Sequence, residues 1–304
     1  MKVVALAGGT GSAKLLRGLS RIVSELTVVA NVGDNFWVHG LYVCPDVDIA
    51  TYALAGLSDP VKGWGLKGDT FNFNDQLAEL GQEAWFRLGD KDLATSVVRT
   101  ELLKTGVPLT EVTRMIGRAL GARHPVLPST DSRLETWMRT RSGSLHLQEF
   151  WVRDGGRHRV TRVEYRGASS AIPSAEVKGA LAEADRVVLC PANPITSIGP
   201  ILAVKGMRKL LSRYGAEVVA VSPMVGAGPY SGPAGKLMRQ LGIRPDSVGV
   251  ASLYSDFLDR LVVDRKDSAL GKEIEKLGVA CTETDTLMRT RRDETRLASV
   301  VLRP

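Results

Sequence analysis

Residues 1–17 read MKVVALAGGTGSAKLLR, and this stretch predicts how the fold is built. Lys2–Ala7 is a short apolar run rich in β-branched residues, which is typical of a buried strand. Ala13–Leu19 carries leucines at helical spacing and therefore predicts a helix. Between them lies the glycine turn, Gly8-Gly9-Thr10-Gly11. A strand, a glycine turn and a helix in this order commonly form a phosphate site in parallel α/β sheets.

The glycine turn suits an anion but matches neither familiar nucleotide motif. Its backbone N–H groups are accessible, and the start of a helix favours negative charge. The Gly-Lys-Ser/Thr ending of a P-loop is missing, since Ala13 precedes Lys14 and Leu15 follows it. A dinucleotide fingerprint would need a small residue in place of Lys14, and an acid after strand Thr27–Ala30, where Asn31 stands. We expect a nucleotide or other phosphate ligand, with NAD or a purely structural turn as alternatives.

Composition places the chain among ordinary globular proteins. Of its 304 residues, 44% are hydrophobic and 24% charged. The net charge of +7 favours an anionic partner, but the basic residues are scattered and no nucleic-acid motif accompanies them. The three cysteines, Cys44, Cys190 and Cys281, lack metal-ligand spacing. Without a leader or a membrane-length apolar run, the sequence predicts a cytoplasmic protein that binds neither membrane nor nucleic acid.

Three carboxylates follow the second strand: Asp34, Asp46 and Asp48. The carboxyl edge of a parallel sheet is where such folds bind ligands, and it also receives the glycine turn. Carboxylates near phosphates usually act through Mg²⁺, which takes one or two of them. Alternatively, Asp34 and Asp46 make turn hydrogen bonds and Asp48 caps a helix over Ile49–Ala55. The residues alone leave both interpretations open.

Residues 57–127 predict a helical insertion into the sheet domain, because no linker sets them apart. The periodicity indicates helices over Asn74–Gly81, Asp92–Lys104 and Thr110–Leu120. The insertion is rich in aromatic residues, namely Trp64, Phe71, Phe73, Trp85 and Phe86. Beside Arg87 these rings suit a flat aromatic ligand, although the core of the insertion is their commoner role.

The remaining chain predicts an antiparallel extension at the sheet edge, followed by renewed strand and helix alternation. The extension comprises strands at Leu134–Thr140, Ser144–Val152 and Arg159–Tyr165. Further sheet strands are predicted at Arg186–Cys190, Glu217–Val221, Leu261–Val263 and Val279–Cys281, with helices at Ala175–Ala184 and Glu294–Val301. We therefore predict one doubly wound, mostly parallel, Rossmann-like α/β domain over residues 1–304.

Two later turns repeat the first arrangement of strand, polar turn and helix. One follows Arg186–Cys190 and contains Asn193, Ser197 and Gly199. The other spans residues 226–235, with Ser231 and Lys236 at a helix entrance. Several such turns at one sheet edge favour an extended diphosphate ligand.

Seven motifs, in this order, resemble those of the 2-phospho-L-lactate transferase family. They are AGGTGSAKLLRGL from Ala7, VANVGDN from Val29, HGLYVCPDVD from His39, GWGL from Gly63, WFRLGDKDLAT from Trp85, LHLQEFWV from Leu145 and NPITSIGPIL from Asn193. The resemblance covers essentially the whole chain, and CPDVD and SIGPIL are its most specific parts. One departure is Ser96, which stands where the family often carries a histidine.

The resemblance implies a Mg²⁺-dependent, homodimeric enzyme of coenzyme F(420) biosynthesis. Such an enzyme transfers 2-phospho-L-lactate, or the related phosphoenolpyruvate group, from its guanosine diphosphate conjugate to a deazaflavin alcohol. This acceptor is 7,8-didemethyl-8-hydroxy-5-deazariboflavin (Fo), and GMP is released. Its donors are therefore lactyl or enolpyruvyl diphosphoguanosine. The alternatives are a non-catalytic regulator that binds a nucleotide or nucleotide-sugar and, less favoured, an NAD-linked oxidoreductase.

The resemblance also implies roles for individual residues. Asp34 and Asp48 are the expected metal ligands, and Asp46 is the reserve. Asp48, again with Asp46 in reserve, is the expected catalytic group. Fo is expected to contact Asp48, Arg87 and Trp85. The expected donor-binding residues are Gly9, Thr10, Gly11, Lys14, Asn193, Ser197 and Gly199.

Overall fold

A computed structural model describes residues 1–226, 228–229 and 232–303 of the chain. Its strands are β1 (Lys2–Ala7), β2 (Glu25–Ala30), β3 (Phe36–Val38), β4 (Leu41–Val43), β5 (Val126–Pro128), β6 (Glu135–Thr140), β7 (Gly143–His146), β8 (Val160–Arg166), β9 (Arg186–Leu189), β10 (Glu217–Val221), β11 (Met224–Val225), β12 (Gly228–Pro229), β13 (Arg260–Asp264) and β14 (Ala280–Thr284).

Helices connect and cover these strands. They are α1 (Gly9–Ile22), α2 (Pro45–Ala55), α3 (Asn72–Glu79), α4 (Asp90–Lys104), α5 (Leu109–Ala119), α6 (Ala175–Ala182), α7 (Ile198–Ala203), α8 (Met207–Arg213), α9 (Ala234–Gln240), α10 (Ser247–Tyr254), α11 (Gly271–Glu275) and α12 (Arg291–Val301). A π-helical turn covers Glu149–Arg153, and a 3₁₀ turn covers Arg265–Leu270. None of the helices in this described part is both long and apolar enough to cross a membrane.

The core is a seven-stranded parallel sheet in the order β14-β13-β10-β9-β1-β2-β5. Residues 3–7 of β1 and all four residues of β9 are buried, as expected for central strands with helices on both faces. The chain builds outward from β1 through β2 to β5, and then returns to the other side of β1 with β9. The predicted doubly wound α/β fold is confirmed. The strand order reverses between β1 and β9, which is where such sheets bind ligands.

Two helices begin four residues earlier than the sequence predicted, and both changes concern the site. α1 begins at Gly9 instead of Ala13, so the glycine turn forms its first turn. α2 begins at Pro45, since proline is well suited to the first position of a helix. Asp48 therefore lies inside the helix, and the expectation that it caps Ile49–Ala55 is wrong because Cys44 holds the cap position.

The antiparallel strands form a three-stranded sheet of their own, in the order β7-β6-β8, and bond to one another instead of to the parallel sheet. The strand predicted at Ser144–Val152 ends at His146. There the His146 N–H donates to Glu149 Oε2, at 3.0 Å, and the Gln148 N–H donates to His146 Nδ1, at 3.2 Å. These side-chain acceptors replace the strand ladder, and a π-helical turn follows.

The insertion contains α3, α4 and α5, close to their predicted bounds, and ends where β5 joins the sheet beside β2. Helix α4 packs against β4, where the Tyr42 N–H donates to Thr100 Oγ1 at 2.8 Å. A small apolar cluster of Phe36, Val43 and Leu88, with Trp85 and Phe86 packed on it, lies between the β3–β4 hairpin and the insertion. The insertion is thereby held over the carboxyl edge of the sheet.

Candidate functional site

A cavity of about 710 Å³ lies at the carboxyl edge of the parallel sheet. Its floor comes from the turns that follow β1 and β9, the two strands between which the sheet order reverses. One wall is the first half of α2, and others come from the insertion and from the π-helical turn. We call the part of the wall that carries the glycine turn and the carboxylates the polar end. The part that carries Trp64, Trp85, Phe86 and Trp151 is the aromatic end.

The glycine turn forms the floor, and its geometry requires glycine at two positions. Gly9 has φ of +70°, which side chains disfavour. Gly11 lies so close to the loop after β9 that a Cβ atom would be 2.4 Å from the Pro191 carbonyl oxygen. The Gly9 N–H donates to Asp46 Oδ1 at 2.6 Å. The helix start therefore already binds an anion, here a carboxylate of the protein.

Asp34 and Asp46 lie together at the polar end, joined by Asn31. The Asn31 side-chain amide donates to Asp34 Oδ1 and, at 2.9 Å, to Asp46 Oδ2. Burial and the neighbouring Asp46 raise the pKa of Asp34 well above its usual value. Burial likewise raises the pKa of Asp46 to about 6, although its hydrogen bonds from Asn31 and Gly9 oppose this. Neither of these adjacent carboxyl groups has a cationic partner among the described residues.

Asp48 has a cationic partner, which is Arg99 of α4. The Arg99 guanidinium donates to Asp48 Oδ1, and both side chains are buried. Burial raises the pKa of Asp48, and the guanidinium acts in the opposite direction. Sequence reasoning missed Arg99. No local signal was available, because Thr95, Ser96 and Arg99 resemble the solvent-exposed face of a helix, whereas the structure buries all three.

A fourth carboxylate on the cavity wall, Asp92 of α4, was also missed as a site residue. The Tyr52 hydroxyl, from α2, donates to Asp92 Oδ1 at 2.6 Å. Burial and the negative charges of Asp48 and Asp69 raise the pKa of Asp92 to about 7, although Tyr52 and Arg99 lower it. Asp34, Asp46, Asp48 and Asp92 all line the same cavity.

The aromatic end is lined by Trp85 and Arg87, as the sequence suggested, and also by Trp64, Phe86 and Trp151. Trp85 lies 6.0 Å from Phe36, measured between ring centroids. The Arg87 guanidinium lies 4.5 Å from the Phe71 ring centroid and 3.6 Å from an Asp75 oxygen, and its side chain is 57% exposed. Trp151 comes from the π-helical turn, which the sequence had assigned to a strand.

Most of the predicted donor-binding residues line the polar end, and Gly199 does not. Thr10, Lys14, Asn193 and Ser197 lie on the cavity wall with the glycine turn. Asn193 Oδ1 accepts from the Ile195 N–H, at 2.9 Å, while its buried Nδ2 has no partner in the part of the chain that the structure describes. Gly199 lies within α7, and a Cβ atom there would be 2.2 Å from the Tyr165 hydroxyl. A packing requirement thus accounts for this glycine, and its role in donor binding stays a prediction.

The third predicted anion turn is only partly described. Ser231 lies outside the described residues. Lys236 is in α9, and its Nζ donates to the Gly156 carbonyl at 2.6 Å. Residues 286–288 line the polar end instead, and Lys14 Nζ donates to the Met288 carbonyl at 3.0 Å. No motif in the sequence pointed to this segment.

The donor set fits a small hard cation held by two carboxylates. Asp34 and Asp46 supply adjacent oxygens, and Mg²⁺ needs only one or two carboxylates beside water and phosphate oxygens. Across the described residues, no group of three or more histidine, cysteine, aspartate or glutamate side chains could hold a metal ion. A cation held by this pair would also need oxygen atoms from a ligand or from water.

Ser96 lies away from the cavity wall. Its side chain is fully buried in α4, and its Oγ has no hydrogen-bond partner among the described atoms. An effect of Ser96 on acceptor binding stays a prediction.

Comparison with known proteins gives a consistent result. The family model described as "2-phospho-L-lactate transferase CofD" matches residues 3–300. The 2-phospho-L-lactate transferase of Methanosarcina acetivorans is 41% identical over 302 residues, covering 99% of this chain and 98% of that protein. The protein of the same name from Methanopyrus kandleri is 41% identical over 307 residues, covering 100% and 97% of the two chains.

Among solved structures, a UPF0052 family protein from Bacillus halodurans superposes with a TM-score of 0.64. It covers 99% of this chain and 98% of its own, at 17% sequence identity. This similarity supports the fold.

Proposed function

The chain belongs to the 2-phospho-L-lactate transferase family, and from this premise we propose the reaction that it catalyses. The enzyme transfers a 2-phospho-L-lactate or phosphoenolpyruvate group from its guanosine diphosphate conjugate to the ribityl hydroxyl of Fo. GMP is released, and the product is a precursor of coenzyme F(420). The observation that carries the proposal is that one cavity is lined both by an anion-binding helix start and by aromatic rings.

The polar end would bind the donor diphosphate. A phosphate oxygen would replace Asp46 as the acceptor of the Gly9 N–H. The unpartnered amide of Asn193 offers a further donor, and the Lys14 ammonium lies on the same wall. Because phosphoryl transfer depends on alignment and charge neutralisation, these contacts would hold the reacting phosphorus in place.

Mg²⁺ is the proposed metal, and it would neutralise charge on the bridging and equatorial phosphate oxygens. Asp34 is one proposed ligand, and the first turn of α2 supplies the other. Asp48 is the sequence-based choice, whereas Asp46 is the carboxylate that shares Asn31 with Asp34. The homodimer and the cytoplasmic location also stay predictions.

The aromatic end would bind Fo. Its deazaflavin ring is flat and apolar with polar edges, so stacking on Trp85 or Trp151 would favour it. Arg87 is mostly exposed at the same end and would contact a polar edge of the ring. The ribityl chain would then extend along α2 toward the glycine turn.

A mass-spectrometric turnover assay tests the proposal. The protein is incubated with Fo and lactyl or enolpyruvyl diphosphoguanosine, with Mg²⁺ or with a chelator. We expect Mg²⁺-dependent formation of the phospholactyl or phosphoenolpyruvyl product together with an equal amount of GMP. If neither donor reacts while GDP still binds, the proposed activity is refuted and a nucleotide-binding regulator becomes the better explanation.

A further inference from the structure

Asp92 is held in the cavity wall by its place in α4 and by a hydrogen bond from α2. It lies in the first turn of α4, and its side chain lines the cavity beside Leu88. The Tyr52 hydroxyl fixes one of its oxygens at 2.6 Å, and Tyr52 itself is only 1% exposed. An oxygen held in this way keeps the carboxyl group in one orientation toward the cavity.

Its position lies between the two ends of the cavity. Asp46, Ile49 and Tyr52 all line the cavity along α2. With a rise of about 1.5 Å per residue, Tyr52 lies about 9 Å along the helix from Asp46. Asp92, which bonds to Tyr52, is therefore displaced from the carboxylate that binds the glycine turn, and the adjacent Leu93 packs on the apolar cluster with Trp85 and Phe86. An alcohol attached to a bound aromatic ring would pass this carboxylate on its way to the phosphate.

The other three carboxylates of the cavity take part in interactions that disfavour a role as proton acceptor. Asp34 and Asp46 share the amide of Asn31, and Asp46 also caps the glycine turn. Asp48 is paired with the buried guanidinium of Arg99. A carboxylate paired with a guanidinium is a poor proton acceptor, because protonation would leave a buried cation unpaired. Within the described ranges, the Asp92 side chain has a single hydrogen-bond partner, the neutral Tyr52 hydroxyl.

The charges around Asp92 give it a proton affinity suited to neutral pH. Asp48 on α2 and Asp69 in the loop before α3 oppose its ionisation, and burial does so most strongly. Tyr52 on α2 and Arg99 on its own helix favour ionisation. The resulting pKa of about 7 lies where general acid–base groups work best in a neutral medium.

We propose that Asp92 is the general base of the transfer reaction and that Tyr52 is its positioning residue. This inference rests on the proposed function. The ribityl O–H bond breaks, and its proton passes to an oxygen of Asp92. The alcohol oxygen forms a bond to the lactyl-bearing phosphorus, and the bond from that phosphorus to the GMP oxygen breaks. GMP leaves with the electron pair, and Asp92 then returns its proton to solvent.

The test measures kcat and KM against pH, from pH 5 to 9, for the wild type and three variants. Asp92→Asn removes the base but keeps an oxygen for Tyr52. Tyr52→Phe removes the hydrogen bond and keeps the base. Glu101→Gln is the matched control, since it removes an exposed carboxylate from the same helix.

For Asp92→Asn we expect kcat to fall by about a hundredfold or more and the donor KM to change by less than about threefold. The acid limb, which is the decrease in kcat toward low pH, should disappear. Tyr52→Phe should move the acid limb to higher pH, because the lost hydrogen bond favours the ionised form. Glu101→Gln should match the wild type. If Asp92→Asn does not fold, the dependence of kcat on pH in Tyr52→Phe tests the inference.

Two other results would count against the inference, and they are distinguishable. If the wild type turns over and Asp92→Asn keeps its kcat within about threefold with an unchanged acid limb, Asp92 is not the base and the proposed function stands. A Tyr52→Phe profile that matches the wild type also refutes the inference. If the wild type itself transfers no group from either donor, the proposed function fails, and the role of Asp92 fails with it.

Discussion

At the scale of single residues, the site is defined by how buried charges are paired. Asp48 is paired with Arg99, and Asp92 accepts from the Tyr52 hydroxyl. Asp34 and Asp46 accept from amide groups and have no cation beside them among the residues that the structure describes. A buried carboxylate without a cation favours its protonated form. The polar end is therefore prepared for a ligand that brings positive charge, or for one that displaces a carboxylate.

Removal of one partner from the Asp48–Arg99 pair should be costly. Asp48→Asn leaves a fully buried guanidinium without its counter-ion and should lower the free energy of unfolding by about 3 kcal/mol. Arg99→Met in the same chain removes that unpaired charge, so the double variant should regain part of the loss. Chemical denaturation of the two single variants and the double variant measures this. Additive losses would show that the two residues are not coupled.

The pKa of Asp92 predicts how stability depends on pH. Its pKa is about 7 in the folded protein and about 3.9 in an unfolded chain, so folding favours the protonated form. The stability that this group contributes is complete below about pH 4 and is lost as the pH rises through 7. Relative to the wild type, Asp92→Asn should therefore be similarly stable at pH 4 and more stable at pH 8. A difference that is constant between these pH values, measured by urea denaturation, would contradict the assigned pKa.

At the scale of elements, α1 has two separate functions. Its first turn forms the anion-binding floor, and its later turns pack on α12. Arg17 and Arg21 of α1 both donate to Glu294 of α12. Gly18 brings the two helices so close that a Cβ atom there would lie 2.2 Å from the Glu294 carbonyl oxygen. The position of the glycine turn thus depends on packing along the whole length of α1.

Gly18→Ala should separate α1 from α12. We expect the free energy of unfolding to fall by about 1–3 kcal/mol, the usual cost of overpacking. Gly179→Ala in α6 is the matched control, because open space surrounds that position within its helix. It should be stabilising by about 0.5–1 kcal/mol, since alanine favours helix more than glycine does. Equal midpoints for the two variants in thermal denaturation would argue against a tight α1–α12 contact.

At the scale of the whole molecule, three parts of the chain contribute to the cavity. The parallel sheet supplies the polar floor, the insertion supplies Trp64, Trp85 and Arg87, and the segment after β7 supplies Trp151. The binding of donor and acceptor should therefore be separable by mutation. Exposed residues of the aromatic end are the best test, because their substitution leaves the core intact.

Arg87→Ala should raise the KM for Fo more than the KM for the guanosine donor. Its side chain is 57% exposed and forms an ion pair with the exposed Asp75, so the fold should be unaffected. Asp75→Ala is the control, because it removes the partner of Arg87 but keeps the guanidinium. Steady-state kinetics with each substrate varied in turn measure both effects. A larger rise in the donor KM would place Arg87 at the donor instead.

The sequence predicted those features that are encoded locally. Apolar runs such as Lys2–Ala7 predict strands, and the polar turns after β1 and β9 predict a shared ligand edge. Asp34, Asp46 and Asp48 were expected there, and all three line the cavity. The start of α2 was misplaced because Pro45 was not recognised as the first residue of the helix.

Features that depend on distant pairing could not be predicted. Arg99 and Asp48 are 51 residues apart, and Tyr52 and Asp92 are 40 apart, so no local pattern indicates either contact. Arg99 resembles a surface residue of a helix until its partner is known. The π-helical turn that carries Trp151 depends on side-chain bonds from Glu149 and His146, which compete with strand formation.

The division of the cavity among separate chain segments also bears on how such an enzyme diverges. Trp85 and Trp151 lie on elements that are not strands of the parallel sheet, whereas the glycine turn lies at its centre. Substitutions at the aromatic end can therefore accumulate while the parallel sheet stays folded. Descendants of one gene would retain the diphosphate floor while exploring new acceptors, and exchange of the insertion between relatives offers a laboratory route to the same diversification.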